Sequence, residues 1–243
     1  MNQDRRRFLQ VAGAAAGLAL GMLPCALRAA DSPKSLRIGV IGSGRIGGTL
    51  GELWLKAGHE VMFSSLDIEH DNALAARLGP GAHAGTPREA GAFGEVLLVS
   101  VPYSALPAVG RDLGDLLNGK IVLDTCNPVP ARDGDMAIEA RAKGTGVASP
   151  LFLPGARLVR AFNSVGFSRL RGEAHRAGER VGIPLAGDDA QALQTAVRLV
   201  QDAGFEPVVV GPLARAREFD AGTPVYGRAL TAAELRRGLG INP

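Results

Sequence analysis

Cysteine is almost absent: the 243 residues hold two, Cys25 and Cys126. Cys25 falls in an N-terminal segment that reads as removable. The rest of the chain then has no pair to oxidise, and only its core holds it together. Aromatic residues are scarce as well, at 5%, which leaves no stacking platform for nucleic-acid bases. Net charge disappears once its position is considered. The formal +3 is accounted for by Arg5, Arg6, Arg7 and Arg28 against Asp4; of the 27 basic and 24 acidic residues, 23 of each remain beyond residue 30. A neutral chain offers no field that tracks phosphates, so nucleic acid is excluded as a partner class. The apolar stretch Val11–Leu23 is about 13 residues long, short of the roughly 20 needed to cross a hydrocarbon core. His59, His70, His83 and His175 are scattered without metal-ligand spacing, so no metal site is expected. No internal repeat or low-complexity tract is present.

What remains is ordinary globular material, 46% hydrophobic and 21% charged, with 33 glycines that read as tight turns and close backbone approaches. At the N-terminus, Asp4-Arg5-Arg6-Arg7-Phe8-Leu9-Gln10 resembles the bacterial twin-arginine export motif. The Ala/Gly-rich stretch behind it and the small residues Ala26, Ala29 and Ala30 complete a cleavable signal over residues 1–30. A periplasmic or otherwise exported location is therefore expected, by a route that carries proteins already folded.

From residue 36 onward the pattern alternates. Leu36–Ile41 is a short apolar strand, Arg45–Ala57 has helical spacing, and His59–Phe63 reads as a second strand opened by Gly58. Further strand-like runs fall at Glu95–Val101, Lys120–Asp124, Leu158–Phe162, Val181–Ala186 and Phe205–Val210. Helical patterns fall at Ile68–Leu78, Ser104–Leu117 and Asp189–Ala203. Strands apolar on both faces that alternate with helices predict an α/β, Rossmann-type, doubly wound and mostly parallel sheet. Residues 31–165 form the expected dinucleotide-binding domain, and 166–243 a short C-terminal extension of sheet-edge strands and helix.

Gly42-Ser43-Gly44-Arg45-Ile46-Gly47 is G-x-G-x-x-G between a strand and a helix, the context of a dinucleotide fingerprint. Gly42 permits the tight turn, Gly44 the approach of the pyrophosphate, and Gly47 close helix–sheet packing. The second strand runs into Ser64-Ser65-Leu66-Asp67. Two hydroxyls at that tip suit the 2′-phosphate of NADP, with Arg45 as the supplementing cation. Asp67 folding back on the ribose hydroxyls would instead give NAD. Cys126 reads as a small packed residue rather than a reactive thiol, and Asp188-Asp189 as a helix cap.

These pieces occur with Val101-Pro102-Tyr103, Asp124-Thr125-Cys126-Asn127-Pro128, Val159-Arg160-Ala161-Phe162-Asn163 and Gly187-Asp188-Asp189. In that order they resemble the NADP-dependent coenzyme F420 reductases and the related domain of membrane ferric reductases, over roughly residues 36–215. The resemblance implies that Gly42–Gly47 holds the pyrophosphate and Ser64 and Ser65 the 2′-phosphate. It puts Val101, Pro102 and Tyr103 on the adenosine and ribose side, and Cys126, Asn127 and Pro128 at the nicotinamide. Ala161, Phe162 and Asn163 would face the second redox partner, a flavin or the deazaflavin F420. Hydride passes directly between such rings, so no catalytic acid or base is expected. The family pattern has a basic residue where Leu66 stands. Two other readings stay open. One is a nucleotide-binding module without turnover, serving a membrane-associated electron-transfer partner. The other is a hydroxyacid or imine dehydrogenase, for which the chain lacks a large helical second domain. A homodimer is the default assembly.

Overall fold

A computed structural model describes residues 34–241 of the chain. The signal expected over residues 1–30 lies outside the described residues.

In chain order the elements are β1 (Arg37–Ile41), α1 (Arg45–Lys56), β2 (Glu60–Ser64), α2 (Ile68–Leu78), β3 (Ala82–Ala84), α3 (Pro87–Phe93) and β4 (Val96–Val99). Then come α4 (Leu106–Leu117), β5 (Ile121–Asp124), α5 (Pro130–Asp133), α6 (Asp135–Lys143), α7 (Thr145–Ala148) and β6 (Arg157–Arg160). The last are α8 (Phe167–Glu173), β7 (Gly182–Gly187), α9 (Ala190–Asp202), β8 (Glu206–Gly211) and α10 (Ala232–Gly238). The eight strands form one sheet in the order β3-β2-β1-β4-β5-β6-β7-β8. All neighbours run parallel except β6 and β7. This is the expected doubly wound α/β fold, and its strand order reverses between β1 and β4, where such sheets open a ligand crevice.

Strand side chains alternate between two layers. Ile38, Val40, Val61, Phe63, Val96 and Leu98 pack with α1, α2, α8 and α9, whereas Ile41, Leu97, Val99 and Val122 pack with α3, α4, α6 and α7. Burial on both faces explains why these strands read as continuous apolar runs. Trp54 on α1 is wholly buried and donates its indole N–H to Leu199 O on α9 at 2.8 Å. The residues past 165 are thus bonded to the first helix as well as to the same sheet.

Local chemistry starts the helices. Asp67 accepts from His70 N to cap α2, and Asp189 accepts from Ala192 N to cap α9. Thr86/Glu89 and Thr231/Glu234 form capping boxes at α3 and α10. Arg157 and the Ala192 N–H hold the Asp189 carboxyl down at about 2. The helix predicted from Ser104 begins as a 3₁₀ turn over Tyr103–Ala105 before α4, which has a proline in its first turn. The three-residue β3 and seven-residue α3 give too few periods for the sequence pattern to show.

Candidate functional site

The glycine loop joins β1 to α1, and its three glycines answer to three different constraints. Gly42 has φ +100°, and a Cβ there would lie 2.3 Å from Ser100 O. Its N–H and that of Ser43 donate to Ser64 O at 2.9 and 3.0 Å, which fixes the turn against β2. A Cβ on Gly47 would meet Gly42 O at 2.1 Å, so the helix could not approach the loop. Gly44 differs. Its φ is −63° and nothing lies within 4 Å of an added Cβ. No protein atom demands glycine there; the open space lies above the first turn of α1, where unpaired N–H groups and the helix dipole favour an anion.

That space opens into a cleft of about 350 Å³ at the β1/β4 switch point, walled by Arg45, Ile46, Val101, Pro102, Cys126 and Asn127. Beyond Ile46, Thr125, Asn127 and Tyr226, which line both, a second recess of about 320 Å³ continues toward Asn163 and Phe167. At the junction, Asn127 Nδ2 donates to Asn163 O at 2.7 Å and to Tyr226 Oη at 3.3 Å. A carbonyl can only accept, so this bond fixes the amide's orientation. It leaves the buried Asn127 Oδ1 without a donor among the described residues. An unmatched buried acceptor costs about 1–3 kcal/mol, and the carboxamide N–H of a nicotinamide would satisfy it.

Two buried carboxylates hold the walls. Asp133 accepts from Val129 N at 2.8 Å and from Ser104 N and Oγ at 3.2 and 3.0 Å, and it pairs with Arg132 at 2.8 Å. Burial works against its charge, but Arg132 and these donors outweigh that and hold the carboxyl well below the usual range. Asp124 pairs with Arg160 at 2.8 Å, both fully buried. Arg160 also donates to Cys126 O at 2.9 Å and reaches Asp220 at 3.6 Å, linking the β5 end to the C-terminal segment. Burial opposes the guanidinium's charge, yet Asp124 and Asp220 raise its pKa above the ordinary value. The Cys126 thiol is pushed well up, first by burial and then by Asp124. It accepts from Val101 N at 3.4 Å and is a packed wall residue.

Of the residues expected at the site, Gly44, Arg45, Ile46, Val101, Pro102, Cys126 and Asn127 line one cleft, with Ser43, Gly42 and Gly47 shaping its loop. Others lie elsewhere. The Ser64 hydroxyl is buried and donates to Val40 O at 2.7 Å, because the last strand position turns inward, so it cannot face a 2′-phosphate. Ser65 alone offers a hydroxyl at the tip, and it donates to Asp71 Oδ2 at 2.8 Å. Arg45 does not supplement the serines: its guanidinium lies 4.9 Å over the Phe167 ring, toward α8. Tyr103 is wholly buried against Phe152 and Ser149, and its phenol is raised to about 12 by burial. Pro128 lines a separate recess with Arg141 and Asp220. Ala161 is buried; Phe162, at φ +58°, packs its ring between Trp54 and Phe205 and also lines the second recess. Asn163 lines the second recess.

Three residues to which sequence reasoning gave no role belong to the site. Tyr226 closes the junction from a tail segment with no motif. Arg160 braces β5. Asp71 is buried under the loop, where Ser43 Oγ and Ser65 Oγ both donate to it. Asp67 caps α2 through one oxygen, accepting from His70 N. No cluster of three or more potential metal ligands occurs among the described residues.

Comparison with known proteins agrees with this geometry. Residues 37–128 match the family model described as NADP oxidoreductase coenzyme F420-dependent. The metalloreductase STEAP3 of Rattus norvegicus is 30% identical over 199 residues, covering 79% of this chain and 37% of that protein. The chain thus spans little more than a third of that relative. A hypothetical protein from Sinorhizobium meliloti superposes with a TM-score of 0.68 at 24% identity, over 82% of this chain and 96% of the other. A structure from Arthrobacter sp. FB24, described as a candidate F420-dependent NADP-reductase, gives 0.62 at 22% identity, over 75% and 88%. The chain is thus similar to NADP oxidoreductases over residues 37–128 and shares the fold of the two solved structures.

Proposed function

We propose that this chain, whose residues 37–128 match the F420-dependent NADP oxidoreductase family, transfers hydride between NADP(H) and a flavin or deazaflavin acceptor. The observation that carries the reading is the empty space over Gly44, which no contact within the protein explains and which a pyrophosphate would fill. The matching acceptor at the other end, Asn127 Oδ1, supports a nicotinamide there. The β2 tip favours NADP(H) over NAD(H): Asp67 is used as a helix cap, and Asp71 lies buried beneath Ser43 and Ser65. Asp67 is turned to the α2 cap through one oxygen, whereas the Ser65 hydroxyl stands at the tip and suits a phosphate.

The nicotinamide supplies the hydride from C4 and the acceptor ring, with a proton from solvent, becomes its dihydro form. This chain's residues bind, orient and exclude water. Ile46 and Tyr226 wall the junction where two rings would meet, and Asn127 would hold the carboxamide. Titration of the purified chain with NADPH and NADH, followed by nicotinamide fluorescence, tests the reading. At least tenfold tighter binding of NADPH, about 1.4 kcal/mol, and its oxidation on adding a flavin or deazaflavin are expected. Binding of neither nucleotide would refute it. The twin-arginine segment adds the inference of an exported protein that meets a membrane-associated electron-transfer partner.

A further inference from the structure

Along the outer side of α1 runs a larger groove, of about 750 Å³, between α2 and α8. Its walls carry Arg45 from α1, His70 and Arg77 from α2, and Arg171 from α8, and no acidic residue lines it. Arg45 stacks on Phe167, and Arg77 meets a carboxylate only through the field of Glu52. Arg171 lies 3.5 Å from Glu52, which is already paired with Lys56 at 2.8 Å. Three helices therefore converge three guanidinium groups on one space, with the Glu52 carboxylate shared among Lys56, Arg171 and Arg77, an arrangement suited to phosphate or carboxylate. The groove is not isolated. Phe167 and Ser168 line both it and the recess beyond Asn127, and Arg45 sits on the exposed Phe167 ring at the crossing point.

We infer that this groove holds the anionic tail of the redox acceptor, so that the site selects acceptors bearing a phosphate on a flexible chain beside the ring. The inference rests on the proposed function: with the ring in the recess against Ile46 and Tyr226, Phe167 and Ser168 lead from it to the arginines. The apolar ring and the neighbouring Leu74 would carry the tail's carbon chain, and Arg45, Arg171 and Arg77 its charge. Gly44 and Arg45 line both the groove and the dinucleotide cleft, so the tail's phosphate is placed at the far end, by Arg77 and Arg171, away from the pyrophosphate over Gly44.

FMN and riboflavin share a ring and differ in the phosphate, which makes them the probes. Each is titrated into the NADP⁺-saturated full-length chain, with binding read from quenching of flavin fluorescence. The wild type is expected to bind FMN at least tenfold more tightly than riboflavin, with the preference shrinking as salt rises. In the double variant Arg77→Gln/Arg171→Gln, FMN is expected to fall to the affinity of riboflavin while riboflavin is unchanged; single Arg171→Gln gives an intermediate loss. Equal binding of the two flavins by the wild type overturns the tail site and leaves the ring site standing. A preference for FMN that survives in the double variant overturns it too, since the phosphate then lies elsewhere. Failure of both flavins to bind removes the ring site and the tail site together.

Discussion

Two glycines of one loop should behave as opposites. At Gly42 the backbone has φ +100°, and an L-residue in positive-φ space costs about 1–2 kcal/mol. The new Cβ would also sit 2.3 Å from Ser100 O, a backbone atom that can move only by disturbing the end of β4; strain of that kind adds about 1–3 kcal/mol. For a domain of this size each kcal/mol is worth roughly 2–4 °C, so Gly42→Ala should lower Tm by roughly 4–20 °C. Gly44 occupies the N-cap of α1 at φ −63° with nothing within 4 Å of an added Cβ. Serine is at least as good as glycine at an N-cap, and Gly44→Ser should hold Tm within about 2 °C. Its side chain would fill the space reserved for pyrophosphate, and NADPH affinity should fall at least tenfold, about 1.4 kcal/mol. Differential scanning fluorimetry with and without NADPH gives both quantities. If Gly44→Ser bound NADPH as the wild type does, the space over Gly44 would not be the phosphate site. If Gly42→Ala kept its Tm, the packing described for the loop would be wrong.

The two serines of the β2 tip divide in the same way: Ser64→Ala loses an internal hydrogen bond and about 1 kcal/mol of stability without changing the NADPH/NADH ratio, whereas Ser65→Ala lowers that ratio. Reversal of this pattern in paired titrations would show the tip misassigned. Removing Arg160 leaves Asp124 charged and buried, so Arg160→Leu should cost about 3–5 kcal/mol in urea unfolding, and adding Asp124→Asn should recover part of it. The Asp133 carboxyl is held below its unfolded value of about 3.9. Its stabilisation is therefore complete above the unfolded pKa and is lost as pH falls through the folded one. Asp133→Asn should lower stability at pH 7 and flatten the decline between about pH 5 and 2; an unchanged acid slope would remove Asp133 as its source. In cells, Arg5→Lys/Arg6→Lys should leave the precursor unexported, as fractionation and immunoblotting would show.

Residue order alone determined the frame of this protein. Apolar runs of four to six residues between amphipathic stretches can bury both faces only between helices, so the parallel sheet was legible, and with it the loop Gly42–Gly47 at its first crossover. Val101, Pro102 and Asn127 were named through the family resemblance, and they follow strands β4 and β5 at the edge where such sheets bind ligands. Hydroxyl direction was not. Ser64 and Ser65 are chemically alike, and only the pleat of β2 turns one inward to Val40 O and the other to the tip. Nor could spacing reveal that Asp71 sits beneath the loop, that Arg45 leans over Phe167, or that Tyr226 returns from far along the chain to touch Asn127. Each depends on contacts between residues distant in sequence. Sequence periodicity reports which face a residue takes within its own element, whereas a site is made where several elements meet, and their mutual placement is decided by the packed core.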